Sequence, residues 1–195
     1  MNSFKLRCNF ILVLALILFT QSTFRTEASA AYKDSKQPVV GSVAGDFQLS
    51  NLQGKTVKLS DQLKKGPVVL LVLRGYPGYQ CPLCTRQVSQ FISSAAKLKA
   101  AKATVLLVYP GFGKGLNAKA DEFIRDQRLP DNFQFLTDPG FKFTNAYGLR
   151  WDARNETAYP STFIIGTDGK VKYSKISKTH GNRSNAKEVL QKLTD

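Results

Sequence analysis

Two apolar runs limit most strongly what this chain can fold into. Residues 68–73 and 103–108 contain no charged side chain and are rich in valine and leucine. Runs of this kind are typical of strands that are buried on both faces of a sheet. Between them, residues 82–99 carry apolar side chains at helical spacing and predict one amphipathic helix. A strand, a helix and a strand in this order predict a parallel pair with a crossover connection.

The rest of the chain continues to alternate between strand-like and helix-like segments. Two short strands flank a turn at residues 51–54, and a second strand pair flanks a turn at residues 167–169. Ser184 is predicted to cap the last helix. The other predicted elements are helices at 60–63, 117–127, 139–147 and 185–193 and strands at 133–136, 163–165 and 171–176.

This order predicts an α/β protein with a central mixed β-sheet flanked by helices and an N-terminal β-hairpin extension. The arrangement is similar to the thioredoxin-like fold. We expect it to occupy residues 43–195, after a loose lead-in segment at residues 31–42.

The first thirty residues have the pattern of a secretory signal peptide. Lys5 and Arg7 precede ten apolar residues, about half of what a membrane-spanning helix needs. Residues 28–30 read Ala-Ser-Ala and predict cleavage after Ala30. We therefore expect export to the periplasm or the exterior, with no stable membrane insertion after cleavage and with Cys8 removed. The alternative is an uncleaved N-terminal anchor.

The formal net charge of +14 is high, but its distribution is not that of a nucleic-acid-binding protein. The lysines are scattered, and no arginine-rich tract is present. We expect a generally cationic surface and no nucleic-acid partner.

Two cysteines stand where the first apolar run ends and the predicted helix begins. Cys81 and Cys84 enclose only two residues, so a disulfide between them would restrict the unfolded chain little. A zinc site needs four ligands, which the chain does not supply. Copper(I) accepts fewer ligands. The alternative prediction is therefore a copper(I)-binding metallochaperone that uses Cys81, Cys84 and His180. A redox pair is favoured, because a helix N-terminus stabilises a thiolate. This chemistry requires no cofactor.

Pro160 precedes a predicted strand that we expect to lie opposite the cysteines. A proline in this position invites a cis peptide bond, which would expose the backbone of Tyr159 to a substrate disulfide.

Three separated pieces of the chain resemble one family. Residues 43–63, VAGDFQLSNLQGKTVKLSDQL, are similar to the opening of peroxiredoxin-like proteins of the alkyl hydroperoxide reductase and thiol-specific antioxidant family, although Gly45 stands where they have proline. Residues 67–87, PVVLLVLRGYPGYQCPLCTRQ, resemble their central strand and active-site loop, in the branch that carries a CPxC loop. Residues 159–171, YPSTFIIGTDGKV, resemble the proline-strand-turn-strand of thioredoxin-like proteins.

The resemblance implies a thiol-dependent oxidoreductase with antioxidant character and leaves two chemistries open. Pro77 lies seven residues before Cys84, which implies that Cys84 attacks a peroxide and Cys81 resolves the product. In the thioredoxin-like alternative, Cys81 attacks a protein disulfide and Cys84 resolves it, beside Pro160. Both require a thiol electron donor such as a thioredoxin-like protein.

The resemblance also implies an arginine beside the reactive sulfur. The family position falls near residue 160, where this chain has Pro160. The candidates to replace it are Arg74, Arg150 and Arg154. The expected substrate-binding residues are Pro160, Tyr159, Pro77 and Arg74.

Overall fold

The computed structural model of the protein describes residues 37–194. The predicted signal peptide and the first part of the lead-in lie outside this range. Within it, no helix has the length and apolar character required to span a bilayer. The elements are, in chain order, β1 Gln48–Asn51, β2 Thr56–Lys58, α1 Leu59–Leu63, β3 Val68–Val72, α2 Pro82–Ser93, α3 Ala95–Ala100, β4 Thr104–Gly111, α4 Leu116–Ile124, β5 Phe133–Pro139, α5 Lys142–Ala146, β6 Ser161–Ile165, β7 Val171–Ile176 and α6 Ala186–Thr194.

The seven strands form one mixed sheet in the order β2-β1-β5-β4-β3-β6-β7. Strands β3, β4 and β5 are parallel neighbours, whereas β6 and β7 form an antiparallel hairpin against β3. The β1–β2 hairpin extends the sheet beyond β5. The predicted α/β class, the mixed sheet and both hairpins are therefore confirmed.

Strand β3 is buried along its whole length and contributes to a hydrophobic core on each face of the sheet. Val69 and Leu71 face the core that contains Phe91 of α2, and Leu70 and Val72 face the opposite core. The alternation follows from the two-residue period of a strand. Because β3 is fixed on both faces, the loop that leaves it starts from a rigid point.

The prediction of one helix over residues 82–99 is wrong. Helix α2 ends at Ser93, Ser94 leaves the helical conformation at φ −100° and ψ 7°, and α3 begins at Ala95. The hydroxyls of Ser89 and Ser93 donate to carbonyls one turn earlier, at Thr85 and Ser89. Such bonds compete with the helical backbone and favour a break.

Helix α6 begins with a different cap from the predicted one. The Asn185 Oδ1 atom accepts the backbone N–H of Glu188 at 2.9 Å. The Ser184 carbonyl instead accepts from the Gln87 side chain. The sequence offered two adjacent polar residues, and the second one caps the helix.

The described part of the lead-in is bound to the sheet and is not loose. The Gly41 N–H donates to the Val171 carbonyl at 2.8 Å, and the Val171 N–H donates to the Ser42 carbonyl at 2.9 Å. The Ser174 hydroxyl also donates to the Pro38 carbonyl. Strand β7 lies at the edge of the sheet, where its backbone groups need partners.

Candidate active site

The loop that joins β3 to α2 passes close over the end of β4. Gly75 has φ +78°, and a Cβ atom there would lie 1.9 Å from the Pro110 carbonyl oxygen. The next residue, Tyr76, donates its N–H to the same carbonyl at 2.9 Å. Only glycine fits this approach without strain. The contact directs the chain from the sheet to the start of α2.

Both cysteines lie at the N-terminus of α2, as predicted. Cys81 is the N-cap residue, and its Sγ accepts the backbone N–H of Cys84 at 3.3 Å. Pro82 occupies the first turn, where its missing N–H leaves no gap in the hydrogen bonding. The two thiols are free, and both are buried, with Cys81 3% exposed and Cys84 0% exposed. Cys81 is thus the sulfur nearer to the surface.

A guanidinium that the sequence analysis did not identify contacts both sulfurs. The Arg183 Nη1 lies 3.2 Å from Sγ of Cys84, and its Nη2 lies 3.7 Å from Sγ of Cys81. Arg183 belongs to the loop before α6, far from the cysteines in the chain. No motif or periodicity in that loop indicates a contact with the cysteines, so only the folded structure brings Arg183 to the site.

The position of Arg183 is fixed by one polar contact within its own loop and one with helix α2. Its Nε donates to the His180 carbonyl at 2.8 Å, and its Nη1 also donates to Gln87 Oε1 at 3.3 Å. Gln87 in turn donates to the Ser184 carbonyl at 3.0 Å. The guanidinium is therefore held against α2 before any substrate arrives.

The surroundings shift the pKa values of the two thiols in opposite directions. The hydrogen bond from the Cys84 thiol, together with the Cys84 N–H and the charge of Arg183, lowers the pKa of Cys81 to about 5. Burial and the neighbouring Cys81 sulfur raise the pKa of Cys84. The site therefore favours a thiolate at Cys81 over a thiolate at Cys84.

Arg74, a predicted substrate-binding residue, is held by other groups of the protein. Its guanidinium is 3% exposed and forms an ion pair with Glu156, with Nε to Oε2 at 2.6 Å. It also donates to the Tyr79 hydroxyl and to the Asn155 carbonyl, both at 2.6 Å. Burial opposes its charge, but these partners outweigh burial and raise the pKa of Arg74. The residue fixes the active-site loop to the segment before β6.

Arg150 and Arg154 do not take the family arginine's place either. Arg150 donates to the Trp151 and Thr157 carbonyls, each at 2.5 Å. Arg154 is exposed. Arg183 is the residue that lies against the sulfurs.

The prediction of a cis bond before Pro160 is wrong, since the described residues contain no cis peptide bond. Pro160 is buried and directly precedes β6, whose first residue, Ser161, pairs with Val72 at the end of β3. This register places Pro160 next to the end of β3, where the cysteine loop leaves the sheet. Pro77 lies half-buried in that loop.

The backbone of Tyr159 is not free for docking. Its N–H donates to the Leu149 carbonyl at 2.9 Å, and its carbonyl accepts from the Ser161 hydroxyl at 2.8 Å. The ring stacks on Trp151 at a centroid distance of 4.9 Å. Tyr159 is therefore held by its own neighbours.

His180 does not join the cysteines in a metal site. Its Nε2 lies 2.8 Å from Glu156 Oε1, and its ring packs on Trp151. Across residues 37–194, no three His, Cys, Asp or Glu side chains converge as metal ligands. The proposed three-ligand copper set is thus not assembled.

Comparisons with known proteins identify the family and the fold. Residues 40–174 match the AhpC/TSA family. The chain is 35% identical over 133 residues to chloroplastic peroxiredoxin Q of Triticum aestivum, covering 68% of this chain and 57% of that protein. It is 32% identical over 163 residues to putative peroxiredoxin bcp of Helicobacter pylori, covering 79% of this chain and 97% of that one. The chain thus spans less than two thirds of the plant relative. The crystal structure of peroxidoxin BcpB from Mycobacterium tuberculosis has the same fold, with a TM-score of 0.63 at 23% identity, covering 81% of this chain and 97% of that one.

Proposed function

Because this chain belongs to the AhpC/TSA family, we propose that it is a thiol-dependent peroxidase that cycles Cys81 and Cys84 between dithiol and disulfide. The relatives named peroxiredoxin support peroxide as the substrate. The observation that carries the proposal is the Arg183 guanidinium in contact with both free sulfurs at the start of α2.

We assign the attack to Cys81, although the family spacing assigns it to Cys84. Three features of the site favour Cys81: its sulfur accepts the Cys84 N–H, it retains slight exposure, and its pKa is lowered to about 5. A thiolate is the reactive form of cysteine. Cys84 is fully buried and its pKa is raised by that burial and by the Cys81 sulfur, which suits a resolving thiol.

The chemistry balances without a cofactor. The Cys81 thiolate attacks one peroxide oxygen, the O–O bond breaks, and the released alkoxide or hydroxide takes a proton. The Cys84 sulfur then attacks the Cys81 sulfenic acid, and water leaves as the disulfide forms. Two thiols are oxidised and one peroxide is reduced. An external thiol must then return the two electrons.

Arg183 supplies the charge that the family places near residue 160. Its Nη1 and Nη2 form a planar fork beside the sulfurs, which suits hydrogen bonding to the two oxygens of a peroxide. The leaving oxygen becomes negative as the O–O bond breaks, and a nearby guanidinium stabilises that charge.

Protein disulfide exchange is the second candidate. The lowered pKa of Cys81 and its position at the helix N-terminus favour attack on a disulfide as well as on a peroxide. The attacking and resolving sulfurs are the same in both reactions, and a thioredoxin-like protein is a suitable partner. The two candidate functions therefore differ in their substrate, a peroxide or a protein disulfide, and use the same pair of cysteines in the same roles.

Export is part of the proposal and rests on the signal-peptide pattern of residues 1–30. In an oxidising compartment the Cys81–Cys84 disulfide would persist until a donor reduces it. N-terminal sequencing of the mature protein tests this, and an N-terminus close to Ala31 is the expected result.

The test of the proposed function uses the full chain with Cys8→Ser, reduced and without oxygen. One equivalent of hydrogen peroxide is added, and free thiols and intact mass are followed. We expect both thiols to disappear with the mass loss of one disulfide, and no reaction in a Cys81→Ser/Cys84→Ser control. Persistence of both thiols over minutes would contradict the peroxidase proposal and favour disulfide exchange.

A further inference from the structure

Two adjoining cavities form one groove between α2 and the start of α6, and Arg183, which contacts both sulfurs, lines the first of them. Their volumes are about 250 and about 440 Å³, and both are lined by Arg86, Gln90 and Asn185. We call this feature the α2–α6 groove. One water occupies roughly 30 Å³ in the liquid, so hydrogen peroxide would fill only a small part of it. The groove has room for a larger organic molecule.

The lining of the α2–α6 groove is cationic. Arg86, Arg183 and Lys187 line it, and no aspartate or glutamate is among its described lining residues. Glu156, which contacts the lining residue His180, is paired with Arg74. Glu188 is the nearest acidic residue of α6 in sequence, but its carboxylate bonds to Tyr173 and to Lys175. The groove therefore attracts anions, as does the chain as a whole with its net charge of +14.

The groove leads to the reactive sulfurs through Arg183. This residue lines the first cavity and contacts Cys84 and Cys81 at the same time. Leu83 and Gln87 from the first turns of α2 line the same cavity. A molecule that binds along the groove contacts Arg183, which lies against both sulfurs, at one end and Lys187 at the other.

We propose that the α2–α6 groove binds a small thiol that carries carboxylates, and that this thiol reduces the Cys81–Cys84 disulfide. The inference rests on the proposed function, because it names the electron donor of that cycle. A thiol attacks as its thiolate, whereas a hydroperoxide reacts as a neutral molecule. A cationic groove therefore attracts the thiolate and assists the reducing step. Carboxylates on the same thiol can also form ion pairs with Arg86 and Lys187.

The reducing half of the cycle takes two thiols. The first thiolate attacks Cys81, the more exposed sulfur, a mixed disulfide forms, and the Cys84 sulfur leaves and takes a proton. A second thiolate attacks the outer sulfur of the mixed disulfide, and Cys81 leaves as a thiolate. The two small thiols become one small disulfide, and the protein regains both thiols.

The test measures the reduction rate of the disulfide form with three thiols of different charge. The disulfide is prepared with diamide in the full chain carrying Cys8→Ser, so the test does not depend on peroxide reactivity. The thiols are mercaptosuccinate, β-mercaptoethanol and cysteamine, at low ionic strength, with rates expressed per thiolate. We expect mercaptosuccinate to react at least about tenfold faster than the other two.

Two double variants remove the same charge at different places. Arg86→Gln/Lys187→Gln removes two groove cations and is expected to abolish most of the preference for mercaptosuccinate. The control, Lys55→Gln/Lys65→Gln, removes two exposed cations near β1, β2 and α1 and is expected to retain it.

Equal rates for the three thiols would overturn the groove inference. An equal loss of the preference for mercaptosuccinate in both double variants would overturn it too. Reduction by a thioredoxin-like protein while all three small thiols fail would overturn it as well. Neither result would affect the proposed peroxidase, whose own test is the oxidation of the two thiols by peroxide.

Discussion

Arg183 Nη1 lies 3.2 Å from the Sγ atom of Cys84, although the two residues are 99 positions apart in the chain. The contact joins the loop before α6 to the first turn of α2. The same guanidinium reaches Cys81, so one side chain provides the positive charge for both sulfurs. The reactivity of the pair should therefore depend on a residue that is distant in the chain but adjacent in the fold.

Replacing Arg183 should make the Cys81 thiolate less stable. We expect Arg183→Met to raise the pKa of Cys81 by about one unit or more, because a neighbouring cation shifts a pKa by roughly one to three units. The rate of iodoacetamide alkylation as a function of pH measures this directly. Arg183→Lys keeps the charge without the planar fork and should give an intermediate pKa.

The matched control for this prediction is Arg154→Met. It removes the same charge from an exposed position in the segment between α5 and β6. Its alkylation profile should superimpose on that of the wild type. Identical profiles for Arg183→Met and the wild type would show that the contact does not govern the thiolate.

The reduced protein should become more stable as pH rises from about 5 towards 9. The pKa of Cys81 is lowered from 9.0 to about 5 in the folded protein, so the unfolded chain binds more protons than the folded one within this range. The stabilisation is complete above the unfolded pKa and is lost as pH falls through the folded pKa. The raised pKa of Cys84 acts in the opposite direction only above about pH 9.

Urea unfolding at pH 6 and pH 8 under reducing conditions tests this dependence. The free energy of unfolding should increase more between these two values in the wild type than in Cys81→Ser, which has no thiolate to stabilise. The same increase in both proteins would mean that Cys81 is not ionised in the folded state.

Glu156→Gln should destabilise the fold without changing the reactive thiolate. Arg74 and Glu156 are 3% and 10% exposed, and removing one partner of a buried pair costs about 3–5 kcal/mol. The free energy of unfolding in urea measures the loss, while the alkylation profile of Cys81 should remain unchanged. A shifted profile would instead show that Glu156 influences the thiolate through His180, whose carbonyl holds Arg183.

The exposed pair Lys64–Asp61 offers the control for that variant. Asp61→Asn also neutralises one carboxylate of an ion pair, but solvent already surrounds both groups. Its effect on the urea midpoint should be too small to resolve.

The sequence was sufficient for the parts of the fold that depend on local pattern. The apolar run of β3, the hairpin of β6 and β7 and the cysteine pair at the start of α2 were all predicted from periodicity and turn residues. The break at Ser94 was not, because the apolar spacing of residues 82–99 continues across it while serine side chains compete for the backbone.

The parts that were missed depend on contacts between distant segments. Arg183 stands in a polar loop, and its position depends on the His180 carbonyl and the Gln87 side chain, which orient it. The binding of Gly41 to β7 depends on which strand lies at the sheet edge. Local pattern does not specify such tertiary contacts.

The measurement that tests the central claim most directly identifies the sulfur that peroxide oxidises. Reduced full-chain protein with Cys8→Ser is prepared as Cys84→Ser and, separately, as Cys81→Ser, since serine keeps a hydroxyl donor for the remaining sulfur. Each receives one equivalent of hydrogen peroxide, and intact mass is followed over seconds with dimedone present to trap a sulfenic acid. The site described here predicts rapid oxygen transfer to Cys81 in Cys84→Ser and slow reaction of Cys84 in Cys81→Ser. The reverse order would contradict it and assign the attack to Cys84.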